Sequence, residues 1–149
     1  MNRRGARELV FHLLFSAEYT DKGGEDLLRE ITDERFASLQ EEYALYGEFP
    51  PQSQEDYIRQ AVTGVMKHKE ELDEAIRKYA VGWNLSRITA VSRCLLRLSM
   101  YEMREMKIPV GASVNEALEL AKKYDSDEAA AFINGILGSF VKEEVEPQA

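Results

Sequence analysis

The sequence has little of what catalysis, metal binding or membrane insertion requires. Its single cysteine, Cys94, excludes an internal disulfide, and with only two histidines beside it there is little material for a structural zinc site. A reducing, cytoplasmic setting follows as the expectation. No stretch approaches the roughly 20 consecutive apolar residues that cross a bilayer. The apolar run Leu9–Phe15 follows a basic start but is closed in by Glu8 and Glu18, so it does not read as an export signal. Glycine-rich phosphate loops of the Walker or dinucleotide type are missing, as are His-Glu-x-x-His and Gly-x-Ser-x-Gly. Strand-like alternation, internal repeats and low-complexity segments are missing too. What remains is one domain over residues 1–149 with no catalytic set, no metal and no cofactor expected.

What is present is helical periodicity. Apolar residues recur every three or four positions along nearly the whole chain, which predicts an all-α bundle of about six or seven helices. The first helix is expected from Arg4 to Tyr19, ending before the breaker Asp21-Lys22-Gly23-Gly24. Glu25–Tyr46 reads as one interrupted or two short helices. Ser53-Gln54-Glu55-Asp56 resembles a capping box, in which a serine oxygen accepts from an unpaired amide and acids favour the positive helix end. A helix through Leu72, Ile76 and Tyr79 should stop near Gly82. Ser86 is the expected cap of the long apolar helix running from Arg87 to about Lys107, which Pro109 and Gly111 close. Ser113-Val114-Asn115-Glu116 and Ser126-Asp127-Glu128 offer two further starts, and the tail is expected to fray from about residue 143.

The net charge of −8 excludes a surface that is basic all over, as broad duplex binding would need. It leaves room for a local basic site. Arg3, Arg4 and Arg7 crowd the first turns, whereas acids dominate from Glu25 to Asp56, so one end can meet phosphate while the rest attracts a basic protein. Helical spacing lines Arg4, Arg7, Phe11 and Phe15 along one side of the first helix, opposite Val10, Leu13, Leu14 and Ala17. Basic groups running into aromatics suit single-stranded RNA: guanidinium pairs with phosphate, and flat groups stack on unpaired bases. For both phenylalanines a core role is the favoured reading. His12, His68 and Cys94 suit structural or solvated roles, Cys94 lying among Val91, Leu95 and Leu98.

Four segments carry a resemblance: Arg-Arg-x-Ala-Arg-Glu at the start, Leu95–Met103, Val114–Tyr124 and Phe132-Ile133-Asn134-Gly135-Ile136-Leu137. In this order they resemble the NusB family of transcription antitermination factors over most of the chain. The resemblance implies two perpendicular helical sub-bundles and no catalysis. It implies single-stranded boxA RNA of nascent ribosomal transcripts as ligand, with the NusE ribosomal protein as co-binder. Both join the elongating RNA polymerase, and some relatives form a homodimer through the RNA-binding surface. Carried onto this sequence, it implies RNA contacts at Arg3, Arg4, Arg7 and Phe132, with Glu128 as an acceptor or a helix-start acid. Phe132 is also compatible with core, since it shares a stripe with Ile133 and Ile136. Asn115 and Glu116 would fix a loop, and Asn134-Gly135 would permit close packing or ligand approach. Ser92, where relatives often carry an acid before the basic Arg93, suggests a lost ion pair. Two other readings stand beside this one. The first is the RNA-binding domain of a ribosomal RNA cytosine methyltransferase, against which the missing α/β domain counts. The second is a protein-binding scaffold whose arginines are merely solvated.

Overall fold

The computed structural model describes residues 1–146 apart from Leu85 and Arg87. Among them there are eight α-helices and no strand, one helix more than the upper expectation, and the chain gathers into two compact units, Met1–Lys67 and His68–Ala149.

In the first unit, α1 (Arg3–Ser16) begins at Asn2, whose side chain accepts from the amide of Gly5, and ends in a 3-10 turn, Ala17–Tyr19. The acidic stretch that follows divides into α2 (Gly24–Leu28) and α3 (Asp33–Leu39), the latter capped by Thr32. A 3-10 turn over Ala44–Gly47 then leads on toward α4 (Glu55–Lys67). Leu9, Val10 and Leu13 of α1, Leu27 of α2 and Ile58, Ala61 and Val62 of α4 make the core, all at most 2% exposed. Gly24 allows a close approach: a Cβ there would lie 3.0 Å from the backbone of Thr63, so a larger residue would have to push α2 from α4 by a few tenths of an ångström. Ser53 does not cap α4. It falls inside a 3-10 turn, Gln52–Gln54, which follows Pro51 and winds directly into the helix, so no separate cap residue is needed.

In the second unit, α5 (Lys69–Tyr79), α6 (Ala90–Arg104), α7 (Val110–Tyr124) and α8 (Asp127–Phe140) enclose Leu72, Leu95, Leu96, Met100, Ile133, Ile136, Leu137 and Phe140, each at most 1% exposed. Gly82 takes a φ of 85°, the left-handed conformation that glycine adopts without strain, and turns the chain away from α5. Three starts differ from expectation. The long helix is capped by Thr89 and not Ser86, because Thr89 is itself extended and its hydroxyl accepts from the amide of Ser92; the expected first residue, Arg87, lies outside the described residues. Pro109, expected only as a stop, sits at the cap of α7, its fixed φ already suited to a helix start. Ser113 therefore falls one turn inside α7 and turns inward instead of capping.

There it completes a buried polar set. Ser113 donates to Glu102 at 2.8 Å and lies 2.9 Å from the Ser99 hydroxyl, with all three residues at most 1% exposed. Removing one partner breaks hydrogen bonds made in the core, where they are costly to lose. Ser113→Ala is expected to lower stability by about 1–3 kcal/mol, read as a shift in the urea midpoint at unchanged slope. At the other end of the unit the chain winds on past α8 as a π-helical turn, Val141–Val145, where fraying was expected. The reason is local: Glu144 pairs with Arg104, whose guanidinium also lies over the Phe140 ring. Burial works against the Glu144 carboxylate, but the Tyr79 hydroxyl and Arg104 beside it hold its pKa below the ordinary range.

Candidate nucleic-acid interface

The basic end is organised by one tyrosine. Tyr57, buried on α4, receives the guanidinium of Arg3 at 4.3 Å from its ring centroid and that of Arg7 at 5.6 Å. Arg3 also donates from Nε to Gln54 Oε1 at 2.9 Å. Arg3 and Arg4 face solvent, whereas Arg7 is only 5% exposed, so of the three arginines expected to meet phosphate one is built into the fold. Cation–π contacts of this kind contribute about 0.5–2 kcal/mol depending on burial, and they fix where the charges point. Phe11 is core at 3% exposure, and Phe15 is half-buried between Phe11 and Tyr19.

The second unit holds a cleft of about 500 Å³. Its floor and rim come from the segment after α5, the first turn of α6 and the first turns of α8. The Trp83 amide donates to Ala80, and its ring stands edge-on to Phe132 with centroids 4.5 Å apart. Trp83 remains 52% exposed while Phe132 is 8% exposed, so the pair presents the indole to the cleft and buries the phenyl behind it. Thr89 ties the two helix starts together: its hydroxyl accepts from Ser92 and donates to Asp125 at 2.6 Å, next to Ser126, which caps α8. Glu128 follows in the first turn of α8, one helical turn before Phe132, and lines the same cleft. Among the described lining residues none is basic.

The structure thus brings Glu128 and Phe132 together and places Arg3 and Arg7 against Tyr57 in the other unit, with Arg4 exposed on the same helix. Asn115 is exposed and Glu116 half-buried on α7. Close packing within the chain does not account for Asn134-Gly135, since a Cβ at Gly135 meets nothing within 4 Å. Sequence reasoning missed Trp83, Thr89 and Asp125. The signal was there for the first of them, a lone tryptophan directly after a turn glycine. The titratable candidates are otherwise occupied: His12 Nδ1 meets the Tyr46 hydroxyl at 3.0 Å, His68 stacks on Tyr101, and Cys94 is 1% exposed. Among the described residues no cluster could hold a metal ion, and no helix is long and apolar enough to cross a membrane.

An all-α chain with a tyrosine-ordered basic end in one unit and an aromatic, acceptor-lined cleft in the other is a helical recognition protein. The chain belongs to the NusB family, whose model matches residues 4–142. It is 42% identical to the transcription antitermination protein NusB of Carboxydothermus hydrogenoformans, covering 98% of this chain and 96% of that one. The corresponding protein of Bacillus subtilis is 36% identical, covering 98% of each chain. Among solved structures, NusB from T. maritima superposes with a TM-score of 0.79 at 32% identity over 97% of this chain and 94% of that one. A complex of the antitermination factors NusB and NusE with double-stranded RNA matches with a TM-score of 0.76 at 26% identity, covering 95% and 96%. The family is one of antitermination factors and not of enzymes, which sets the methyltransferase reading aside.

Proposed function

We propose that this chain is a cytoplasmic, non-catalytic antitermination adaptor. It binds single-stranded boxA-type RNA of nascent ribosomal transcripts together with the NusE ribosomal protein and links both to the elongating RNA polymerase. The observation that carries the RNA reading is the cleft, where Trp83 stands over Phe132 among hydroxyls and acceptors with no basic residue in the described lining. Such a surface suits the faces and edges of unpaired bases, which a duplex keeps stacked and paired. The similarity to a chain in complex with NusE and double-stranded RNA supports NusE and RNA as partners here, and the single-stranded preference rests on the cleft. In this reading Arg3 and Arg4 neutralise phosphate, Arg7 steadies Tyr57 and through it the basic end, and Phe132 and Glu128 serve the bases.

Fluorescence anisotropy of a boxA-like single strand, with and without NusE and with a duplex of the same sequence as competitor, tests this. Arg3→Ala/Arg4→Ala leaves the buried Arg7 intact, so folding should be unaffected. Affinity at low salt is expected to fall about tenfold, and the slope of log affinity against log salt should become shallower by roughly 0.7 for each charge lost. If neither NusE nor the two arginines alters binding, the chain is a protein-binding scaffold.

A further inference from the structure

Arg3 is an exposed side chain held at two points. Its guanidinium carbon lies over the Tyr57 ring, 4.3 Å from the centroid, and its Nε donates to Gln54 Oε1 at 2.9 Å. The ring seats the guanidinium, and the Nε bond sets which edge points away from it. Both partners come from one short stretch. The Gln54 amide donates to the Pro51 carbonyl at 3.0 Å and closes the 3-10 turn, and Tyr57 follows three residues later in the first turn of α4. That spacing stacks the two side chains on one side of the winding chain, where they meet Arg3 from α1. A ring alone would seat a lysine as well, whereas a bond to Nε is open only to arginine. Among the described residues Arg3 makes no other hydrogen bond, so the edge that carries its two terminal nitrogens is uncommitted. Holding a long surface cation in one rotamer costs entropy, and an exposed contact to a neutral amide returns little stability for it.

We propose that Gln54 is a positioning residue for RNA binding, which together with Tyr57 presents the terminal edge of Arg3 to a single phosphate as a two-pronged donor. This rests on the RNA reading above and deepens it. A guanidinium offers a phosphate two forks, one from its two terminal nitrogens and one from Nε with the adjacent terminal nitrogen. Gln54 occupies Nε and closes the second fork, so the first is the one that remains. The acceptor is also of the right kind. An amide oxygen is neutral and holds the guanidinium without cancelling the charge that attracts phosphate, whereas a carboxylate in the same place would pair with it. Because the side chain is ordered before RNA arrives, its rotamer entropy is not lost again on binding. The same contacts explain why the 3-10 turn matters to the basic end: the turn that Pro51 opens delivers Gln54 to Arg3.

The experiment is anisotropy binding of the full chain with NusE to one boxA-like single-stranded RNA over a series of salt concentrations, with thermal melting of every variant alongside. Arg3 is exposed and Gln54 half-buried, so changes at either leave the core intact. Gln54→Ala is expected to weaken binding about threefold with the salt slope kept, since the charge remains and only its orientation is lost. Gln54→Glu keeps Arg3 seated and should leave the melting temperature unchanged or raised. It should nevertheless weaken binding at least as far as Arg3→Ala, with a slope shallower by roughly 0.7. A glutamine that served only the fold would show the reverse order, with glutamate tolerated and alanine not. Arg3→Lys should fall to the level of Gln54→Ala, because lysine keeps the charge but has neither Nε nor a fork. In Gln54→Ala/Arg3→Ala the first change should add nothing to the second, the mark of a residue that acts through its partner. Full affinity in Gln54→Ala or Gln54→Glu, or a loss from Gln54→Ala that persists undiminished without Arg3, overturns the inference and leaves the RNA reading standing. A wild-type chain that binds no RNA overturns both.

Discussion

Asp73→Ala is expected to destabilise the second unit by about 3 kcal/mol, although the residue lies at its edge. Arg97 is 6% exposed and grips Asp73 with two parallel bonds, Nε to Oδ1 at 2.7 Å and Nη2 to Oδ2 at 2.9 Å. A bidentate pair of this geometry is among the stronger polar contacts a protein makes. Removing the carboxylate breaks the bidentate pair and weakens the compensation of a buried guanidinium, and that, more than the lost attraction, sets the cost. The Asp73 side chain is 27% exposed, so water can partly replace it, which places the loss at the low end of the usual range of roughly 3–5 kcal/mol. Urea unfolding followed by circular dichroism reads it directly. Arg97→Met/Asp73→Ala should recover most of the loss because the buried charge is removed together with its partner. A single-variant loss below about 1 kcal/mol would mean that the pair behaves as a surface ion pair.

Phe132→Ala should strike stability and RNA binding together. The ring is 8% exposed in the stripe with Ile133 and Ile136, and truncating a buried phenylalanine costs about 3–5 kcal/mol in transfer and cavity terms. It also removes the surface against which Trp83 stands, so the indole loses its fixed place at the cleft. Trp83→Ala, by contrast, deletes a half-exposed ring and should leave stability within about 1 kcal/mol while weakening RNA binding about tenfold. Measuring melting and anisotropy on both variants separates the roles. If Trp83→Ala destabilises as strongly as Phe132→Ala, the indole is core and not a recognition surface. If Phe132→Ala binds RNA at full affinity after correction for the folded fraction, the cleft is not where RNA sits.

Of the two roles open for Phe132 in the sequence, the structure shows burial, with Trp83 standing against the ring at the cleft. A residue at the edge of an apolar stripe can be buried and still back a recognition surface, because the stripe on a helix is wide and its margin borders the next element. Arg7 shows the converse. Spacing along α1 put it with Arg4 on a solvated side, and nothing in α1 itself says otherwise. It is buried because Tyr57, 50 positions later, offers a ring for the guanidinium while its stem packs on apolar surface. The capping misassignments share a cause. Ser53, Ser86 and Ser113 all match a local start pattern, but which serine caps depends on where the backbone leaves its extended conformation, and Pro51, Thr89 and Pro109 decided that.

Sequence alone determined the all-α class and the family, but not every helix start. Periodicity of three to four is a local property that any helix must show if it buries one face, and the scarcity of cysteine and histidine and the missing glycine loops bear on chemistry wherever the chain goes. The order of four motifs carried the resemblance, and residues 4–142 match the family. Only the tertiary structure decided which side chains meet. Trp83, Thr89, Ser92, Asp125 and Glu128 come from three elements up to 45 positions apart and share one cleft because α6 and α8 start side by side, joined through the hydroxyl of Thr89. Contacts across such separations depend on how helices pack, and a helix presents the same stripe to the sequence reader whichever neighbour it packs against.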